Sequence, residues 1–234
     1  MARLPSDWVK GFPLSLSPDG KSVLILLTSK SPPQLALLPT GPGQQTLIPN
    51  DEKLIYEHQD GEPMLARFLP DGRSILFTAR EPDHQPRLFV QNVNEGKSTP
   101  VTPEGVFTWG ETNPISPDGK WVFAQKAGQY SLFPLQGGES QPIRGLLPGD
   151  NPIQWTADGS SLYVREGDEY SAITARIFRL DLSTGHRELW KELLPSDPAG
   201  VWYVDPIFIA SDGKSYAYSF WRELSDLFLV EGLK

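Results

Sequence analysis

The sequence predicts an all-β fold, a five-bladed β-propeller of four-stranded antiparallel blades, on three observations. A short phrase centred on Asp-Gly recurs five times along the 234 residues. Each copy is flanked by short apolar runs, and further strand-like runs with a Gly turn follow it. The composition is rich in turn formers, with 21 Gly and 23 Pro, while aromatic residues reach 11%. Many short elements joined by many turns imply all-β architecture.

The repeated phrase reads Ser17-Pro18-Asp19-Gly20-Lys21, Leu69-Pro70-Asp71-Gly72-Arg73, Ser116-Pro117-Asp118-Gly119-Lys120, Thr156-Ala157-Asp158-Gly159-Ser160 and Ser211-Asp212-Gly213-Lys214. Its aspartates are spaced by 52, 47, 40 and 54 residues, the size of one propeller blade. Three residues before each Asp stands a large apolar side chain: Leu16, Phe68, Ile115, Trp155 and Ile209. After each Asp-Gly comes a β-rich run, at Val23–Leu27, Ile75–Thr78, Trp121–Ala124, Leu162–Val164 and Tyr216–Phe220. Apolar run, Asp-Gly, apolar run is a hairpin signature. Third strands are expected at Gln34–Leu38, Leu88–Val93, Leu132–Leu135, Ile177–Leu182 and Leu227–Val230. Fourth, more polar strands are expected at Gln45–Ile48, Thr99–Thr102, Gln141–Arg144 and Arg187–Leu193. Each unit therefore reads as one blade.

The fifth unit has no fourth strand of its own. Ala2-Arg3-Leu4-Pro5, ahead of the first unit, resembles the end of one. The expectation is a single domain over residues 1–234, its ring closed by the N-terminal strand in the last blade, which removes an exposed sheet edge. A closed ring implies a monomer, and an open one an oligomer.

The formal net charge is −8 and the pI about 4.9, which makes nucleic acid and anionic lipid poor partners. There is no cysteine, which excludes thiol nucleophiles, disulfide frameworks and zinc ribbons. No apolar run reaches membrane-spanning length, so no direct membrane contact is expected. The residues from Met1 to Trp8 contain no apolar signal-peptide core, so the chain reads as a cytosolic protein or a piece of something longer.

The Ser-Pro-Asp-Gly-Lys phrase followed by an apolar strand resembles the repeat of TolB-type, or WD40-like, propellers, and it covers the whole chain. The last unit, from Ser211 to Lys234, and the segment Leu180–Lys191 are similar to the C-terminal propellers of large acidobacterial proteins. In that group the propeller follows a serine/threonine kinase or winged-helix regulator domain, usually after a membrane helix. The resemblance implies an extracytoplasmic sensor part. No kinase motif occurs in these residues, so kinase activity would lie outside them.

The five turn aspartates invite a metal reading, but Asp-Gly in a hairpin turn accounts for them: the carboxylate caps the backbone two residues on. Asp150, Asp158, Glu166, Asp168 and Glu169 form an acidic cluster without the alternating ligand spacing of a calcium loop. His58, His84 and His186 share no metal-ligand spacing. No metal, cofactor or catalytic residue is therefore assigned. Trp109, Trp202 and Tyr203 fall in connections leading into a blade's innermost strand, where aromatics either grip a ligand or wedge between blades. Glu111 and Asp205 are the well-placed acids at the heads of innermost strands. These five residues form the candidate ligand-binding set. The leading reading is a non-catalytic binding or sensing scaffold for a protein, peptide or carbohydrate, within a receptor kinase or regulator. The alternatives are a carbohydrate-active hydrolase or lyase of propeller type, and an accessory propeller gating a peptidase.

Overall fold

A computed structural model describes residues 11–29, 32–56, 65–108, 112–167, 173–210 and 212–225. The chain divides into two compact units, Met1–Ile143 and Arg144–Lys234. In the first unit, β1 (Gly11–Leu16), β2 (Ser22–Leu27), β3 (Gln34–Pro39) and β4 (Thr46–Leu47) form one antiparallel sheet in chain order. A second sheet repeats the pattern with β5 (Ala66–Phe68), β6 (Ser74–Ala79), β7 (Arg87–Asn92) and β8 (Ser98–Pro100). A third has three strands, β9 (Trp121–Lys126), β10 (Gln129–Pro134) and β11 (Gln141–Pro142). The second unit holds a four-stranded sheet of β12 (Asn151–Trp155), β13 (Ser161–Arg165), β14 (Ala175–Asp181) and β15 (Arg187–Leu193). It also holds the hairpin β16 (Val201–Ile209) and β17 (Tyr216–Arg222).

The expected five four-stranded blades are therefore found only in part. Among the described residues, four sheets have three or more strands, and the fifth is a two-stranded hairpin. In the third unit the innermost strand shrinks to a single bridge, Ile115 to Val122. Pro114 accepts the Phe123 N–H but has no N–H to return to that ladder. The predicted third strand at 227–230 and the closing strand at 2–5 lie outside the described residues.

The Asp-Gly phrase folds the same way all five times. The Gly N–H donates to the carbonyl three residues back (Ser17, Leu69, Ser116, Thr156 and Ala210) at 2.8–3.0 Å. That Gly then takes a left-handed φ of 66–71°. The aspartate Oδ1 accepts the backbone N–H two residues on, from Lys21, Arg73, Lys120, Ser160 and Lys214, at 2.8–3.1 Å. All five aspartates are thus occupied as caps. Gly119→Val is expected to cost more than about 1 kcal/mol, because a β-branched residue resists positive φ. Asp118→Ala should cost less, through one lost side-chain bond. Urea denaturation of the two variants checks the order.

Hydroxyls strengthen the caps. The Thr156 hydroxyl, the Ser160 N–H and the Ser160 hydroxyl hold the Asp158 carboxyl down to about 2. Ser17 and Ser116 lower Asp19 and Asp118 in the same sense. A folded-state pKa below the unfolded value of about 4 gives stability that is present above pH 4 and lost as pH falls towards 2. Urea midpoints should therefore hold between pH 7 and 5 and drop below pH 4. A Thr156→Val variant should shrink that drop, because the folded pKa of Asp158 then lies closer to the unfolded one.

Strand periodicity sets the packing. Ile75, Phe77 and Ala79 of β6 face a core with Leu24, Leu26 and Leu35 of the first sheet. The alternate Leu76 faces Val122, Ala124 and Phe133 of the third. Both faces of the second sheet are therefore buried, which is why its second strand reads as a continuous apolar run. In the second unit, Tyr163, Ile177 and Leu193 pack against Val204, Ile207 and Ile209 of the hairpin. Of the five repeated apolar residues before the turns, Phe68, Ile115, Trp155 and Ile209 are buried. Leu16 is exposed, because its sheet is the first of its unit and no earlier sheet of that unit covers it.

Candidate functional site

Innermost strands are sheet edges, and their edges carry bulges. Pro13, Pro152 and Pro206 each stand six residues before a turn aspartate. The register shifts just after Pro13 in β1 and Pro152 in β12, and across Pro206 in β16. Proline fits there because an edge needs no N–H donor.

Strand β16 is irregular twice over. Val201 pairs with Arg222 and Tyr203 with Trp221, so Trp202 is an inserted residue. Val204 pairs with Phe220 and Ile207 with Tyr218, which places Asp205 and Pro206 in a second bulge. Bulges re-aim side chains, and these two re-aim Trp202 and Asp205. Trp202 is 62% exposed and Trp221 65%. The Tyr203 and Trp221 rings lie 6.1 Å apart and tilted by 30°.

Asp205 has a partner that the sequence reading missed. Arg165, at the end of β13, is buried, its side chain only 3% exposed, and its Nη1 lies 3.8 Å from Asp205 Oδ1. The same Nη1 donates to the Val204 carbonyl. The neighbouring Asn151, cross-strand partner of Arg165, donates from Nδ2 to the carbonyls of Gly149 at 3.2 Å and Gly167 at 3.1 Å. The hairpin therefore presents Trp202, Tyr203, Trp221 and a guanidinium-backed carboxylate within one unit.

Of the remaining predicted residues, Trp109 and Glu111 lie outside the described residues. A second arginine was also missed. Arg67 of β5 donates from Nε to the Thr112 carbonyl at 3.2 Å, and from Nη1 to the carbonyls of Ala66, at 3.1 Å, and Leu14. One guanidinium thereby ties β5 to β1 and to the residues leading into Pro114. A charged residue inside Leu65-Ala66-Arg67-Phe68-Leu69 was the available signal, since an arginine between apolar neighbours must find acceptors.

The acidic cluster dissolves into separate pairs. Asp150 binds Arg187, Asp158 caps its turn, and Glu166 pairs with Arg176 at 2.7 Å. Asp168 and Glu169 lie outside the described residues. His84 meets Glu104 at 2.7 Å on the surface. Among the described residues no group of three or more His, Asp or Glu is placed to hold a metal.

No protein-family model matches the chain, and no curated protein does either. Solved structures do. TolB from Acinetobacter baumannii superposes with a TM-score of 0.62 at 16% identity, over 91% of this chain and 54% of that one. A putative TolB from Agrobacterium tumefaciens gives 0.60 at 18% identity, over 89% and 73% respectively. An oligogalacturonate lyase in complex with manganese gives 0.54 at 14% identity, over 87% and 56%. The chain thus spans about half the length of the Acinetobacter protein. At these identities the likeness shows the fold, that of TolB-type β-propellers.

Proposed function

We propose that the chain is a non-catalytic binding platform whose ligand seats on the β16–β17 hairpin. The observation that carries this reading is the pair of bulges that turn Trp202 and Asp205 out of the ladder beside exposed Trp221. Exposed indoles on a rigid hairpin offer contact area at little ordering cost. In the same reading the platform is the extracytoplasmic sensing part of a receptor kinase or regulator. Its five repeat units are closed by Ala2–Pro5 pairing beside the strand at 226–230, and deleting residues 1–6 should then lower the melting temperature.

A glycoside hydrolase or lyase is the second reading, favoured by the structural likeness to the lyase and by Asp205 at an innermost strand. Glycosidases of the usual kind need two carboxyl groups about 5–10 Å apart. Screening oligosaccharides and peptides against the parent and a Trp202→Ala/Trp221→Ala double variant tests the platform. Affinity should fall at least about tenfold. Binding unaffected by the double substitution places the site elsewhere. Glycoside turnover that vanishes in Asp205→Asn replaces the platform with an enzyme.

A further inference from the structure

The five Asp-Gly turns share one latent reaction but do not restrain it equally. An aspartate followed by glycine can rearrange without any enzyme, because no side chain shields the glycine nitrogen. That nitrogen attacks the aspartate Cγ, forming an N–Cγ bond and a five-membered succinimide. The carboxyl OH leaves with the N–H proton as one water. Water then opens the ring at either carbonyl, restoring aspartate or leaving isoaspartate, whose main chain runs through Cγ. Closure needs a protonated carboxyl, so that OH can leave, and a rotamer that turns Cγ towards the glycine nitrogen. Hydrogen bonds to the carboxylate oppose both, since they favour the ionised form and hold the side chain in place.

The glycine nitrogens do not discriminate, since all five donate to the carbonyl three residues back at 2.8–3.0 Å. The carboxylates do. Asp19 accepts the Ser17 hydroxyl at 2.7 Å and Asp118 that of Ser116 at 2.6 Å, each beside its backbone N–H. Asp71 accepts the Arg73 and Ser74 N–H groups and the Ser74 hydroxyl, all at 2.8 Å. Asp158 accepts the Thr156 and Ser160 hydroxyls and the Ser160 N–H. Asp212, by contrast, accepts the Lys214 N–H at 2.9 Å and, among the described residues, no hydroxyl. The place of Ser17, Ser116 and Thr156 is taken there by Ala210, whose carbonyl receives the Gly213 N–H as theirs receive their own glycine's. A sixth pair, Asp60-Gly61, lies outside the described residues. We infer that, of the five turns, Asp212-Gly213 is the site of isoaspartate formation, and that the hydroxyl missing at position 210 is what leaves it open. Rearrangement there adds a backbone carbon to the turn joining β16 to β17 and removes the Lys214 cap.

The test incubates the whole folded chain in H₂¹⁸O at about pH 6, where the caps persist. Each Asp-Gly peptide is then mapped by mass spectrometry. Every passage through the succinimide adds one heavy oxygen, and electron-transfer fragmentation separates isoaspartate from aspartate. The same peptides labelled in urea give each site's rate without folded contacts. The ratio of folded to unfolded rate should be about fivefold or more larger at Asp212 than at any other turn aspartate, the worth of one further hydrogen bond. Ala210→Ser should bring Asp212 down to the ratio of Asp19, and Ser17→Ala should raise Asp19 to that of Asp212. The protecting change is made at Ala210 because a Cβ added at Gly213 would collide with the Tyr163 hydroxyl. A larger ratio at another turn aspartate, or equal ratios at all five, overturns the inference. So does an Asp212 ratio unmoved by Ala210→Ser. Should that variant not fold, the parent's ranking and Ser17→Ala decide.

Discussion

Asp150→Ala is expected to lower the unfolding free energy by about 3–5 kcal/mol, the usual cost of removing one partner from a buried ion pair. The Asp150 side chain is 1% exposed, with Arg187 Nη1 at 2.8 Å from one oxygen and Nη2 at 3.3 Å from the other. It also accepts the Leu147 N–H at 2.8 Å. Removing it strands a mostly buried guanidinium and an amide donor. The pair is not itself a large stabiliser. Burial, outweighing Leu147 and Arg187, pushes the Asp150 carboxyl up from its usual value. A raised folded-state pKa means that this group favours folding more as pH falls, opposite in sign to the turn aspartates. An Asp150→Leu/Arg187→Met variant should therefore recover most of the loss. Equal urea midpoints for Asp150→Ala and the parent would remove the pair from the account.

Gly145→Ala should cost about 3 kcal/mol. Its φ is 85°, and an added Cβ would lie 2.3 Å from the Gly185 carbonyl oxygen and 2.8 Å from Leu180 Cδ1. The first of these is backbone and cannot rotate away, so the connection into β12 must shift or the turn at Gly185 must open. Gly128→Ala isolates the conformational part, since its φ is 80° with no atom within 4 Å of the added Cβ. That control should cost only about 1–2 kcal/mol, the strain of a left-handed residue with a side chain. A Gly145→Ala midpoint no lower than that of Gly128→Ala would show that the close approach is relieved for free.

The turns were legible because Asp-Gly chemistry is local: the capping carboxylate, the amide it accepts and the left-handed glycine span three residues. Strand positions followed, with the predicted Arg187–Leu193 matching β15 end to end and most others differing by a residue or two, while β10 begins three residues before the predicted Leu132. The weakened innermost strand of the third repeat was legible in principle from Pro114. Arg165, Arg67 and the Asp150–Arg187 pair were not. Each joins residues far apart in sequence, 37 positions for Asp150 and Arg187, and depends on which strands the fold sets side by side. The exposure of Trp202 was likewise hidden, since alternation along a strand assigns faces only where the register is regular, and β16 breaks register at that residue.

The seven tryptophans make the central claim directly measurable. In an ¹⁵N-indole spectrum of the whole chain, each gives one resonance, assignable by single Trp→Phe variants. Titration with the oligosaccharide or peptide that binds in the screen should move the Trp202 and Trp221 resonances at low ligand ratio and leave the buried Trp155 in place. Shifts confined to other tryptophans, with Trp202 and Trp221 unmoved at saturation, would contradict a binding site on the β16–β17 hairpin.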